Sequence, residues 1–153
     1  MKKPHKKPNI IIITGSVGAG KTTLAKQYAR KGYHHIHLSD FIKKHHFYER
    51  YDKKTQSYLV DEEKLARKLE RLIEEAKKKK QNLVIDGHLS HYIKPKYVDL
   101  CIVVTCDLKT LYKRLKKRGY SKKKIEDNLQ CEIMEVCYNE ALETGHKVKL
   151  NKN

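Results

Sequence analysis

The residues most able to do chemistry lie in residues 10–23, IIIITGSVGAGKTT. Gly15, Gly20, Lys21 and Thr22 satisfy the spacing G-x-x-x-x-G-K-[ST], which marks a loop that cradles phosphates with successive backbone N–H groups. Gly15, Gly18 and Gly20 allow the backbone to approach an anion closely, and the helix that follows points its positive end at it. Lys21 has the reach to meet β- and γ-phosphates, and the Thr22 hydroxyl is placed to ligate Mg²⁺. Further along, residues 82–88 read NLVIDGH, with Asp86 at the end of an apolar run. A carboxylate there is placed to hold a magnesium shell through water, the Walker B role, and His88 follows two residues later. Phosphoryl chemistry on a nucleotide is the function these residue types support.

The elements that position them follow from periodicity. Four β-branched residues, Ile10 to Ile13, predict a strand buried on both faces. Residues 22–31 predict a helix closed by Gly32, and residues 34–39, HHIHLS, a short strand. Alternation puts His35 and His37 on one face and His34 on the other, so these three histidines are not expected to form a metal cluster. Ser39 and Asp40 open a second helical piece to about His46. The next thirteen residues, YERYDKKTQSYLV, are polar and aromatic without strong period, and a segment of that kind is more often functional than idle. Residues 61–80 carry the clearest helix, capped by Asp61, with Leu65, Leu69, Leu72, Ile73 and Ala76 in one stripe. Leu83 to Ile85 and residues 99–105, DLCIVVT, predict two more buried strands, with Leu108, Leu111, Tyr112 and Leu115 marking a helix after the second. KVKL, residues 147–150, predicts a last strand. Strands alternating with helices on this spacing predict a parallel α/β sheet.

Composition bounds the rest. The 153 residues make one domain (1–153), long enough to bury a core without staples. Cys101, Cys106, Cys131 and Cys137 form no C-x-x-C pair, which points to free core thiols in a reducing compartment. No apolar run spans a membrane and MKKPHKKPN lacks the apolar core of a signal peptide, so a cytoplasmic protein is expected, or a nuclear one in a eukaryotic host. Residues 1–9 read as a flexible basic arm. Thirty-five Lys+Arg against eighteen Asp+Glu give a formal charge of +17. Such a field attracts polyanions, RNA among them, although a solvated face or a host-wide lysine habit produces the same count.

Three stretches carry a family resemblance. LYKRLKKRGYSKKKIEDNLQCEIMEVCYNEA, residues 111–141, resembles the lid and following helix of the coilin-interacting nuclear ATPase family, the nuclear adenylate kinase isoenzyme of eukaryotes with its archaeal relatives. YERYDKKTQSYLVDEEKL, residues 48–65, is similar to that family's NMP-binding segment, and Asp86-Gly87-His88 matches its D-x-H form of Walker B. The resemblance implies an α/β P-loop NTPase fold with the five-stranded parallel sheet of nucleoside monophosphate kinases. It also implies a small NMP-binding insertion near residues 38–61 and a short lid near residues 117–127. It implies phosphoryl transfer from ATP to AMP with weaker ATP hydrolysis, in the presence of Mg²⁺, and a part in small ribosomal subunit maturation through a platform ribosomal protein, with rRNA at hand. By motif, Gly18, Gly20, Lys21, Thr22 and Thr23 would bind the ATP phosphates, Arg118 would contact ATP from the lid, and Asp86 with His88 would support hydrolysis. The alternative is a ribosome-assembly ATPase whose kinase activity is incidental. Two departures stand out. The six arginines include none after Arg118, where familiar adenylate kinases use several on both nucleotides. The sequence also stops soon after KVKL where relatives continue into a further helix, so one sheet face or edge is expected to be less covered.

Overall fold

The computed structural model describes residues 9–153; the basic arm expected at residues 1–9 therefore lies outside the described residues except for Asn9. Asn9 itself is tied down, its N–H donating to Asn82 Oδ1 at 2.8 Å and its side chain to the Tyr33 hydroxyl at 2.8 Å.

Five strands, β1 (Ile10–Gly15), β2 (His34–His37), β5 (Leu83–Asp86), β6 (Leu100–Thr105) and β7 (Val148–Lys152), form one sheet in the order β2-β5-β1-β6-β7. Every neighbouring pair is parallel. Two short strands, β3 (Arg50–Asp52) and β4 (Ser57–Leu59), pair antiparallel as a separate hairpin. The helices are α1 (Lys21–Arg30), α2 (Leu38–Lys44), α3 (Glu62–Lys78), α4 (Leu108–Lys117), α5 (Lys122–Ile133) and α6 (Val136–Thr144).

The central strand explains the layering. In β1, Ile10 and Ile12 face a core that includes Leu65, Leu69 and Ile73 of α3 and Ala141 of α6. Ile11 and Ile13 face the opposite core, which holds Ala25 of α1, Leu111 and Leu115 of α4 and Ile125 of α5. A strand covered on both sides must be apolar at every position, and all four isoleucines are buried. Parallel neighbours need crossover helices, which cover both faces. In α3, Asp61 Oδ1 accepts from Lys64 N at 3.1 Å as the expected cap, and the expected stripe is buried apart from a half-buried Leu72.

Three features differ from the expectations. The aperiodic segment after α2 is the β3–β4 hairpin, held by cross-strand pairs such as Tyr51 with Tyr58, whose rings meet edge to face at 5.0 Å between centroids. The stretch expected as lid plus one following helix is broken at Glu135, which takes φ 52, so α5 and α6 are separate. All four cysteines are free; Cys101 and Cys106 are buried as expected, while Cys131 is exposed and is no core thiol.

Candidate active site

The site is built where the order of strands reverses, at the carboxyl ends of β1 and β5. Residues 15–20 turn from β1 into α1. Gly15 has φ 148, and a Cβ there would stand 2.5 Å from the Val104 carbonyl oxygen of β6, so no side chain fits. Gly20 takes φ 112 immediately before α1, in the left-handed region that glycine enters at little cost. No acidic residue occupies the first turn of α1, which leaves its unpaired N–H groups free to meet an anion.

Lys21 is folded back on the loop, its Nζ donating to Gly15 O at 2.9 Å and Ser16 O at 2.8 Å. Burial lowers its pKa to about 8. An ammonium held in this way gives up two carbonyl partners for a phosphate without a large rearrangement of the chain. Thr22 Oγ1 donates to Asp86 Oδ1 at 3.2 Å. Two hard oxygen donors side by side at the end of the loop fit a magnesium ion that keeps most of its water. Asp86 is fully buried at the end of β5, as expected.

Gly18, Gly20, Lys21, Thr22, Thr23, Asp86, His88 and Arg118 all line one cleft of about 780 Å³. The site residues expected from sequence are thus brought together. His88 is exposed on this cleft; the protein around it, then the charge of Lys21, lowers its pKa, which favours a neutral imidazole at pH 7. Arg118 caps α4 and is exposed, whereas Arg114 is half-buried and donates from Nη1 to Gly18 O at 3.0 Å. The hairpin residues Lys54 to Tyr58 form the opposite wall.

Sequence reasoning missed several participants. His91 is buried below the loop, with Nδ1 2.8 Å from Thr14 Oγ1 and Nε2 2.8 Å from Glu140 Oε2, a chain that joins β1 to α6. The only local signal is a histidine among apolar residues. Arg114 lies four residues before Arg118 in LYKRLKKRGY, and nothing local in that run announces its bond to the loop carbonyl. The alternation expected of the histidines holds, but it left out Asp86. His34 is exposed, as alternation requires, but His35 and His37 converge on Asp86: His37 Nδ1 lies 2.8 Å from Oδ1, and His35 Nε2 contacts Oδ2. The expectation weighed the three histidines against one another and not against the neighbouring strand.

A phosphate loop at the switch point of a parallel sheet, with a carboxylate at the end of the adjacent strand, defines the P-loop NTPase class. Comparison with known proteins agrees with that class and narrows it. The profile of a family described as AAA domain matches residues 11–135. The chain is 38% identical over 139 residues to the adenylate kinase isoenzyme 6 homolog FAP7 of Saccharomyces cerevisiae, covering 90% of this chain and 68% of that protein. It is 39% identical over 138 residues to the adenylate kinase isoenzyme 6 homolog of Schizosaccharomyces pombe, covering 90% and 75%. Among solved structures, a sugar kinase from Janibacter sp. HTCC2649 superposes with TM-score 0.64 at 15% identity, over 95% of this chain and 85% of that one. The shikimate kinase of Bacteroides thetaiotaomicron gives 0.54 at 16%, over 92% and 84%. These two likenesses concern the fold. The relatives settle the family: the chain belongs to the adenylate kinase isoenzyme 6 homologues.

Among the described residues no helix is long and apolar enough to cross a membrane.

Proposed function

We propose that this chain transfers the γ-phosphoryl group of Mg²⁺-bound ATP to AMP as a broad nucleoside monophosphate kinase, with hydrolysis of ATP as a side reaction. The observation that carries the reading is the continuity of the cleft, which runs from the phosphate loop to the hairpin wall and so has room for a donor at one end and an acceptor at the other. Gly18, Gly20, Lys21, Thr22 and Thr23 hold the donor phosphates. Thr22 and Asp86 hold the magnesium shell, whose charge offsets that of the transferring group. Arg118, on the lid formed by residues 117–127, adds positive charge to the transferring group, and the segment 38–61 receives the acceptor. Neutral His88 orients the water of the hydrolytic reaction. Catalysis of this kind is mainly positioning and electrostatic stabilisation, so it needs no further nucleophile.

A second reading belongs beside it: an ATPase of small-subunit maturation, of the coilin-interacting nuclear type, bound to a platform ribosomal protein and rRNA. It is favoured by the cations toward the hairpin wall of the cleft, Lys43 and Lys54 with Lys124 reaching Gln56 from α5, among which there is no arginine. Lysine binds phosphate as a point charge and lacks the two-pronged grip of arginine. Coupled measurement of ADP formation from ATP with and without AMP, beside phosphate release from ATP alone, decides between them. A large AMP-dependent excess supports the kinase, and an unchanged rate supports the ATPase.

A further inference from the structure

Below the phosphate loop, the sheet carries nitrogen donors that magnesium chemistry does not require. In the β2–β5 register His37 stands opposite Asp86, and His35, two residues earlier, shares its face. Each carboxylate oxygen meets one ring nitrogen, His37 Nδ1 at Oδ1 and His35 Nε2 at Oδ2. Thr22 Oγ1 approaches from α1, 3.4 Å from His37 Nδ1. One ligand atom from each of His35, His37 and Asp86 lies within 4.8 Å of the others.

We propose that His35, His37 and Asp86, with the Thr22 hydroxyl beside them, form a site for a divalent first-row transition ion such as Zn²⁺ or Co²⁺. Mg²⁺ prefers oxygen and gives up water reluctantly, while imidazole favours the later divalent ions of the first row, so the donor set itself selects. Asp86, His37 and Thr22 line the cleft, and with the His37 side chain 34% exposed the cleft gives an entry path to the fully buried carboxylate. The three ligands come from two paired strands, so the site stands ready before any nucleotide arrives. A magnesium site completed by phosphate oxygens and water does not. The competing arrangement is two imidazoles that only donate hydrogen bonds to Asp86 and orient it.

The inference rests on the reading above for the placing of Thr22 and Asp86 beside the nucleotide, and its test needs no turnover. Chelator-stripped, nucleotide-free protein is titrated with Co²⁺, followed by visible ligand-field absorption, and with Zn²⁺ by calorimetry. We expect one ion per chain, displaced by Zn²⁺ but not by an equal concentration of Mg²⁺. His35→Gln and His37→Asn should each weaken binding at least about tenfold, the scale for disturbing a metal shell. His34→Gln, on the opposite face, should change nothing. Displacement of Co²⁺ by equal Mg²⁺ in the wild type overturns the site whatever the variants do, and so does equal Co²⁺ affinity in the wild type and in the variant that combines His35→Gln with His37→Asn. Binding of a fluorescent ATP analogue with Mg²⁺ is measured on the same samples. That measurement is made before any Co²⁺ or Zn²⁺ is added, because the proposed ion shares Asp86 and Thr22 with Mg²⁺; its failure in the wild type would sink the phosphoryl-transfer reading and leave the metal result standing.

Discussion

Lys21 shows how burial sets the conditions for function. Its folded pKa, lowered to about 8 chiefly by burial, is that of the free protein. Bound phosphate favours the charged form and raises it again. Below about pH 8 the ammonium is already charged and binding takes up no proton. Above it, binding must protonate Lys21, so ATP affinity falls by up to about tenfold per pH unit. We expect the dissociation constant to be flat from neutral pH to about 8 and to rise beyond. A curve flat through this range would separate Lys21 from the phosphate contact. Arg114 and Arg118 divide in a similar way. Arg114 is committed to Gly18 O in the absence of nucleotide, so Arg114→Ala loosens the loop in ground and transition states alike and should raise KM for ATP while leaving kcat nearly intact. Among the described residues Arg118 has no such bond, and it is exposed at the cleft; its removal should lower kcat by about tenfold to a thousandfold. Steady-state constants of the two variants test the division, and a reversed pattern would exchange their roles.

Among the elements, α5 is placed against its own electrostatics. Its first turn is Lys122, Lys123 and Lys124, with no acidic residue, at the end where the helix dipole repels cations by about 0.3–1 kcal/mol each. Ser121 offsets part of this, its Oγ accepting from Lys124 N at 3.2 Å. The lysines therefore do not serve the helix. Lys124 lies over the Tyr120 ring at 4.0 Å and donates to the Gln56 carbonyl, while Gln56 Oε1 accepts from Ser121 N at 2.7 Å. Gln56 sits at the tip of the hairpin with φ 52, so this clasp joins the two walls of the cleft. A closed cleft excludes water from the transferring group. Gln56→Asn tests the clasp, because asparagine tolerates positive φ but is one methylene too short to reach Ser121. We expect the ratio of ATP hydrolysis to AMP-dependent transfer to rise several-fold; an unchanged ratio would show that the contact does not seal the site. The hairpin was not legible because its strands are three residues each and stabilised by aromatic contacts that no period-2 pattern announces. The phosphate loop and α3 were legible because their signals, glycine spacing, a cap and a stripe, are local in sequence. The histidines on Asp86 and the Thr14–His91–Glu140 chain depend on strand register and helix docking between residues some fifty or more positions apart, and no local rule contains that information.

At the scale of the molecule, the sheet was readable from its runs of β-branched residues, yet the formal charge of +17 remains to be explained. Most of the cations are lysines, 29 of the 35. Such a surface attracts any polyanion, while the cleft recognises nucleotide through a few placed groups; the two should separate by ionic strength. Contacts with RNA phosphates release condensed counterions, so retention on ribosomal RNA should fall steeply with salt. For about six contacts the loss is on the order of a thousandfold between about 50 and 200 mM. ATP binding, as proposed, would depend on backbone N–H groups, Lys21 and a bound cation in a partly closed cleft, where salt screens less. We expect filter-binding affinity for ribosomal RNA to follow the steep slope while the ATP dissociation constant moves by only a few-fold over the same range. Retention insensitive to salt, or absent at low salt, would reduce the charge to composition and remove the main support for a ribonucleoprotein partner.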